Sequence, residues 1–182
     1  MSPSLNTDQK RFLLKLARDA ITHYLDTGKY LKIEAGDSVL EEKRGAFVTL
    51  KEDGRLKGCI GYPMPQKPLV DTVIETAAAA ATDDPRFQPL TVKDLPKITI
   101  EISVLSQPRR IRSPHEVEVG KHGIIISRGP YRGLLLPQVP IEWNWDRETF
   151  LRQGCLKAGL DENAWQQEAQ IEVFTAEVFA EE

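Results

Sequence analysis

Residues 46–62, AFVTLKEDGRLKGCIGY, carry two β-forming runs on either side of an Asp-Gly pair. Strands joined by so short a connection lie antiparallel, because a parallel pair needs a crossover of a dozen or more residues. Two registers compete. A two-residue Asp53-Gly54 turn sets Leu50 opposite Lys57 and Val48 opposite Cys59, mixing apolar and polar groups on both faces. A three-residue loop, Glu52-Asp53-Gly54, pairs Lys51 with Arg55, Thr49 with Lys57 and Phe47 with Cys59. It gathers Ala46, Val48, Leu50, Leu56 and Ile60 on one face and Thr49, Lys51, Arg55, Lys57 and Cys59 on the other. A slip of one residue inverts a whole face, so the cleaner segregation predicts the three-residue loop.

The rest of the chain supplies helices and further hairpin signals. Apolar residues Phe12, Leu13, Leu16, Ala17, Ala20, Ile21, Tyr24 and Leu25 recur at helical spacing, with Thr7 as the expected cap and Gly28 as the stop. A second helix is expected from Pro68 to about Thr82, with an alanine-rich stripe that lets a neighbour approach closely. Pro85 and Pro89 then break the chain. KITIEISVL (97–105) alternates as a half-buried strand, and HGIIIS and GLLLP flank a turn-forming RGPYRG. Asp146 is placed to cap a helix carrying Phe150, Leu151, Cys155, Leu156 and Ala158, and QIEVFTA reads as one last strand. Irregular alternation with hairpins as the only tight connections predicts an α+β fold with an antiparallel sheet flanked by helices.

Composition narrows the function classes. The 182 residues carry a net charge of −3, which offers no attraction for nucleic acid. The one basic cluster, Arg109, Arg110 and Arg112, reads as a solvated loop, with phosphate binding as the sharper alternative. Two distant cysteines form neither a disulfide framework nor a zinc site, and free thiols suit a reducing, cytoplasmic setting. Charges run through the apolar positions of the N-terminal segment, which argues against a signal peptide or a membrane span. No phosphate-loop, dinucleotide, HExxH, GxSxG or CxxC motif occurs.

Chemistry is expected at Cys59. On the predicted register it points away from the main apolar face, beside Lys57, whose ammonium favours a thiolate. Gly58 and Gly61 weaken a strand and so suggest close approach of another backbone or a ligand. The competing reading is a cysteine that serves as a small buried hydrophobe.

Six blocks then acquire a common meaning: LKGCIG (56–61), DPRF (84–87), HGIIIS (122–127), GLLLPQV (133–139), EWNWD (142–146) and CLKAGL (155–160). Their types and order resemble the AMMECR family over nearly the whole chain from the first helix on. The resemblance implies two lobes with a cleft whose walls include the LRGCIG-type strand. The expected division is a larger lobe of 1–105 with 146–178 and a smaller one of 106–145. Members have no established biochemical activity. The genomic setting of family members implies a functional link to Memo-like and radical-SAM proteins. Lys57 stands where the family usually has arginine, which keeps the charge and loses the planar fork for carboxylate or phosphate.

Several residues have two readings. Arg86 either ties down a loop through Asp83 or Asp84 or binds an anion in the cleft, and Asp84 reads mainly as a turn-former before Pro85. His122 is either a turn histidine or the base that activates Cys59. Gln138 is aimed into the cleft or satisfies local backbone. Trp143 and Trp145 read as alternating across a strand, with packing the default. Two function classes follow. One is a cysteine-dependent enzyme acting on a small polar or phosphorylated molecule through Cys59 and His122, with Lys57, Gly58, Gly61, Arg86 and Gln138 binding the ligand. The other is a non-catalytic adaptor for a protein or peptide. Neither assigns a cofactor or a metal.

Overall fold

A computed structural model describes residues 3–182 of the chain. Helix α1 (Thr7–Thr27) is capped one residue earlier than Thr7: the Asn6 side chain accepts the Gln9 N–H at 2.8 Å and the Gln9 side chain accepts the Asn6 N–H at 2.9 Å. This reciprocal box satisfies two of the donors that a helix start leaves orphaned. Gly28, with φ +69°, ends the helix. Strands β1 (Ala46–Glu52) and β2 (Arg55–Tyr62), helix α2 (Leu69–Thr82) and strand β3 (Ile98–Leu105) follow. The next elements are β4 (Arg109–Arg110), β5 (Gly123–Arg128), β6 (Tyr131–Leu135), α3 (Val139–Glu142) and α4 (Arg147–Lys157). The chain closes with β7 (Gln170–Phe174) and β8 (Ala176–Ala180). The fold is α+β.

Two compact units result. One runs to Leu105 and takes in Glu177–Glu182; the other is Ser106–Ala176. In the first, a sheet of order β2-β1-β3-β8 is covered by α1 and α2. Val48, Leu50, Ile100 and Ile102 meet Leu13, Ala17, Ile21, Leu69, Val73 and Ala77 in one core. The alternation of β3 is realised, with Ile98, Ile100, Ile102 and Val104 all buried. In the second unit the order is β4-β7-β5-β6, and Ile124, Ile126, Ile171 and Val173 pack with Phe150, Leu151 and Cys155 of α4.

This division corrects the expected lobes. The segment 146–176 belongs to the second unit, because α4 buries its apolar side on β5 and β7 pairs with β5. QIEVFTA likewise does not run as one strand: Gln170–Phe174 form β7 in one sheet, and Ala176 opens β8 of the other. Thr175 separates them, its N–H donating to Ser106 Oγ while its carbonyl accepts the Ser106 N–H, each at 2.9 Å. Trp143 and Trp145 do not alternate across a strand. They follow the single turn of α3 and stack on each other, ring centroids 6.2 Å apart.

Candidate functional site

The first hairpin adopts neither register considered from sequence. Asp53 (φ +49°) and Gly54 (φ +74°) form a two-residue turn, pairing Glu52 with Arg55 and Lys51 with Leu56. A bulge follows. Lys57 has no opposite number, and the ladder resumes with Leu50–Gly58, Thr49–Cys59, Val48–Ile60 and Phe47–Gly61. The turn has the backbone twist that matches twisted strands, and the bulge restores the apolar face that the turn would have inverted. Cys59 therefore lies opposite Thr49, off the core face, as the apolar pattern predicts. Leu56 does not join that core face; it lies opposite Lys51 and is 38% exposed.

The bulge also separates Lys57 from the role expected of it. Its Nζ lies 2.8 Å from Glu52 Oε2, and the pair lines a pocket of about 260 Å³ with Phe87, Pro89, Leu90 and Asp94. The Lys57 hydrogen bond holds the Glu52 carboxyl below its ordinary value.

The cation linked to Cys59 is Arg86, through Asp84. Asp84, 5% exposed, accepts the Cys59 backbone N–H at 2.9 Å through Oδ2. The same carboxylate accepts Arg86 Nε at 3.0 Å, Arg86 Nη2 at 2.7 Å and the Arg86 N–H at 3.1 Å. β2 is an edge strand, so Asp84 covers an outward N–H and clamps the DPRF turn to LKGCIG. The Arg86 guanidinium holds Asp84 well below the usual carboxylate range, outweighing burial, and the two backbone donors act in the same direction. Asp84 in turn raises the Arg86 guanidinium, with a smaller electrostatic contribution from Cys59. Arg86 lies over the Phe87 ring at 5.3 Å and keeps Nη1 outside the bidentate pair. Thr49 Oγ1 donates to Cys59 Sγ at 3.2 Å, and the thiol is half-buried. Thr49 is absent from the sequence-derived candidates; its place opposite Cys59 depends on the bulge.

Both glycines have internal reasons. A Cβ on Gly58 would sit 2.0 Å from the Ala80 carbonyl oxygen of α2, and one on Gly61 would sit 2.1 Å from the Phe47 ring. The alanine stripe is what brings the α2 backbone so near. Gly58 thus meets the backbone alternative, and Gly61 a side chain.

The remaining candidates lie in the second unit. The His122 ring is buried and its Nδ1 accepts the Glu118 N–H at 3.1 Å. A backbone amide only donates, so Nδ1 is unprotonated and the neutral ring carries its proton on Nε2. The one lone pair a general base would use is occupied. Burial lowers the His122 value, Lys121 and Arg109 adding to it and Glu118 and the Glu116 backbone opposing. The unfolded chain therefore takes up this proton first as pH falls. His122 contributes stability that is present above roughly pH 6.5 and lost below it. Denaturation at pH 7.5 and 5.5 should show a smaller loss for His122→Gln than for the wild-type chain. Gln138 is exposed and opens α3, its carbonyl accepting the Ile141 and Glu142 N–H groups. Cys155 is core, with its thiol value raised by burial.

Among the described residues, no group of three or more His, Cys, Asp or Glu is placed to hold a metal, and no helix is long and apolar enough to cross a membrane.

Comparison with known proteins agrees with the sequence blocks. Protein MK0488 of Methanopyrus kandleri is 47% identical over 192 residues, covering 100% of this chain and 93% of the relative. Protein PYRAB00100 of Pyrococcus abyssi is 45% identical, covering 94% of this chain and 89% of the relative. The crystal structure of PH0010 from Pyrococcus horikoshii superimposes with a TM-score of 0.82 at 42% identity, over 98% of this chain and 94% of the other. The AMMECR1 family model matches residues 14–179, and the chain belongs to that family.

Proposed function

We propose that the protein binds a small carboxylate- or phosphate-bearing molecule beside Cys59 and that the Cys59 sulfur acts on it as a nucleophile. One observation carries this reading: a buried carboxylate, Asp84, accepts both the Cys59 backbone N–H and the Arg86 guanidinium, tying a cation to the residue that bears a half-buried thiol. Pairing with Asp84 orients the guanidinium, and Nη1 remains for an acidic ligand. The fork that Lys57 lacks at the strand is supplied by Arg86 from the following turn. His122 takes no part, since its acceptor nitrogen is engaged within its own unit.

The test is alkylation of the native protein at neutral pH, located by peptide mass analysis, with buried Cys155 as the internal reference. Cys59 should label well before Cys155. Arg86→Met should slow Cys59 labelling on the order of threefold to tenfold by removing the nearby positive charge, while Lys57→Met leaves it unchanged. A Cys59 that labels only on unfolding would end the nucleophile reading. The non-catalytic adaptor is the second reading. It is favoured by Ile141 and Trp143, 61% and 67% exposed on and just after α3. It gains nothing from Gly58 and Gly61, whose constraints are internal.

A further inference from the structure

The three arginines of the basic cluster have different fates. Arg109 Nη1 is 3.2 Å from Glu116 Oε2. The other oxygen of that carboxylate accepts the Arg112 and Ser113 N–H groups at 3.0 and 3.2 Å, bending the chain after β4 into the helical turn Pro114–Glu116. Glu116 is thus fully used. Arg110 and Arg112 are exposed, and neither side chain forms an ion pair with a described residue. Glu172, opposite Arg110 across the ladder, is engaged by Arg132 at 3.6 Å.

These two arginines line a groove of about 660 Å³ whose other wall is the turn Ala164–Gln166 and the start of β7. None of the described residues lining it is Asp or Glu. Its polar groups are instead amides and a hydroxyl, from Gln166, Gln167, Gln170 and Ser113. The volume falls within the range of small-molecule sites, roughly 300–1,000 Å³. The walls are anchored: the Ile111 N–H donates to Ile171 O at 3.1 Å, and Ala164 and Trp165 pack on the core that includes Phe150 and Cys155 of α4. Trp165 also lines the groove while its Nε1–H is buried with no acceptor among the described residues. The part of the indole facing outward is therefore carbon surface, and the N–H is a donor that the fold leaves unsatisfied.

Two free forks, no acid, an apolar ring and several amides form a recognisable combination. The geometry points to a binding site in the second unit for the phosphate monoester of a small organic molecule. Arg110 and Arg112 take the phosphate oxygens, and the indole and glutamine amides meet the organic part. Nucleotides and sugar phosphates share this chemistry. The site is independent of Cys59, and its failure would leave the thiol reading untouched.

The test titrates AMP, ribose 5-phosphate and inorganic phosphate separately into the full chain at low salt. Calorimetry and the three indole N–H resonances report binding, with Trp165→Phe assigning the one of interest. Saturable binding of an ester with a shifted Trp165 resonance is expected. Arg110→Gln with Arg112→Gln should weaken it on the order of tenfold or more, at unchanged melting temperature. Preference for AMP would identify a nucleotide; an equal response to ribose 5-phosphate would identify the sugar phosphate as sufficient. The proposal is overturned if neither ester saturates at millimolar concentration. It is equally overturned if the double variant binds as wild type or if inorganic phosphate matches both esters.

Discussion

Gly58→Ala is expected to destabilise the first unit by about 3 kcal/mol, at the upper end of what overpacking costs. The added Cβ would lie 2.0 Å from the Ala80 carbonyl oxygen, and neither partner can swing aside, since one is a strand backbone and the other a helix backbone. Relief requires β2 and α2 to part, which opens the core that joins Val48 and Leu50 to Val73 and Ala77. Gly61→Ala makes a conflict of similar closeness with a different consequence. Its neighbour is the Phe47 ring, 2.1 Å away, and a ring can be removed. Phe47→Ala should therefore rescue much of the Gly61→Ala loss, whereas Ala80→Gly should rescue none of the Gly58→Ala loss, because the carbonyl remains. Urea denaturation of the four single and two double variants decides the matter. Rescue of Gly58→Ala by Ala80→Gly would refute the backbone account.

Asp84→Ala is the second large effect. It leaves the Cys59 N–H of an edge strand without its acceptor and frees the Arg86 guanidinium. Loss of a buried acceptor costs about 1–3 kcal/mol. Asp84→Asn keeps an oxygen for the amide and loses the charge, so it should fall between wild type and Ala. Hydrogen exchange at the Cys59 amide is the local readout: protection should drop in Asp84→Ala and persist in Arg86→Met.

The Asp84 pair also carries a pH signature. Its folded carboxyl stays ionised in acid where the unfolded chain, with an ordinary value of about 4, binds a proton. Stability from this group is present above roughly pH 4 and lost as pH falls toward the lower folded value. Asp84→Asn removes that contribution, so its stability should decline less steeply than wild type on acidification below pH 4. Equal slopes would show that Arg86 does not hold the carboxylate in the fold.

Much of the architecture was legible in local periodicity. The apolar spacing of α1, the strict alternation of β3 and the existence of a hairpin at Asp53-Gly54, though not its turn length, each report a neighbour relation a few residues long. Such patterns identify an element and its buried face. They also placed Cys59 off the core face, but through a three-residue loop; the structure reaches the same face through a two-residue turn and the bulge at Lys57. The cap of α1 falls one residue earlier than the expected Thr7, at Asn6, because both residue types serve as caps and the Gln9 side chain completes the box with Asn6.

Local residue patterns establish the α+β class, the elements that bury Leu13, Ile100 or Phe150, and the candidate strand LKGCIG. Tertiary structure alone decided the bulge at Lys57, which gives the ammonium to Glu52 and leaves Arg86 as the cation tied to Cys59 through Asp84. It decided as well that Asp84 clamps the Cys59 amide from 25 residues away, and that one apparent strand is shared between two sheets at Thr175. The physical reason is the same in each case. Periodicity records which side of an element is apolar, whereas pairing, bulges and buried hydrogen bonds depend on what distant segment arrives opposite, and no local pattern encodes that arrival.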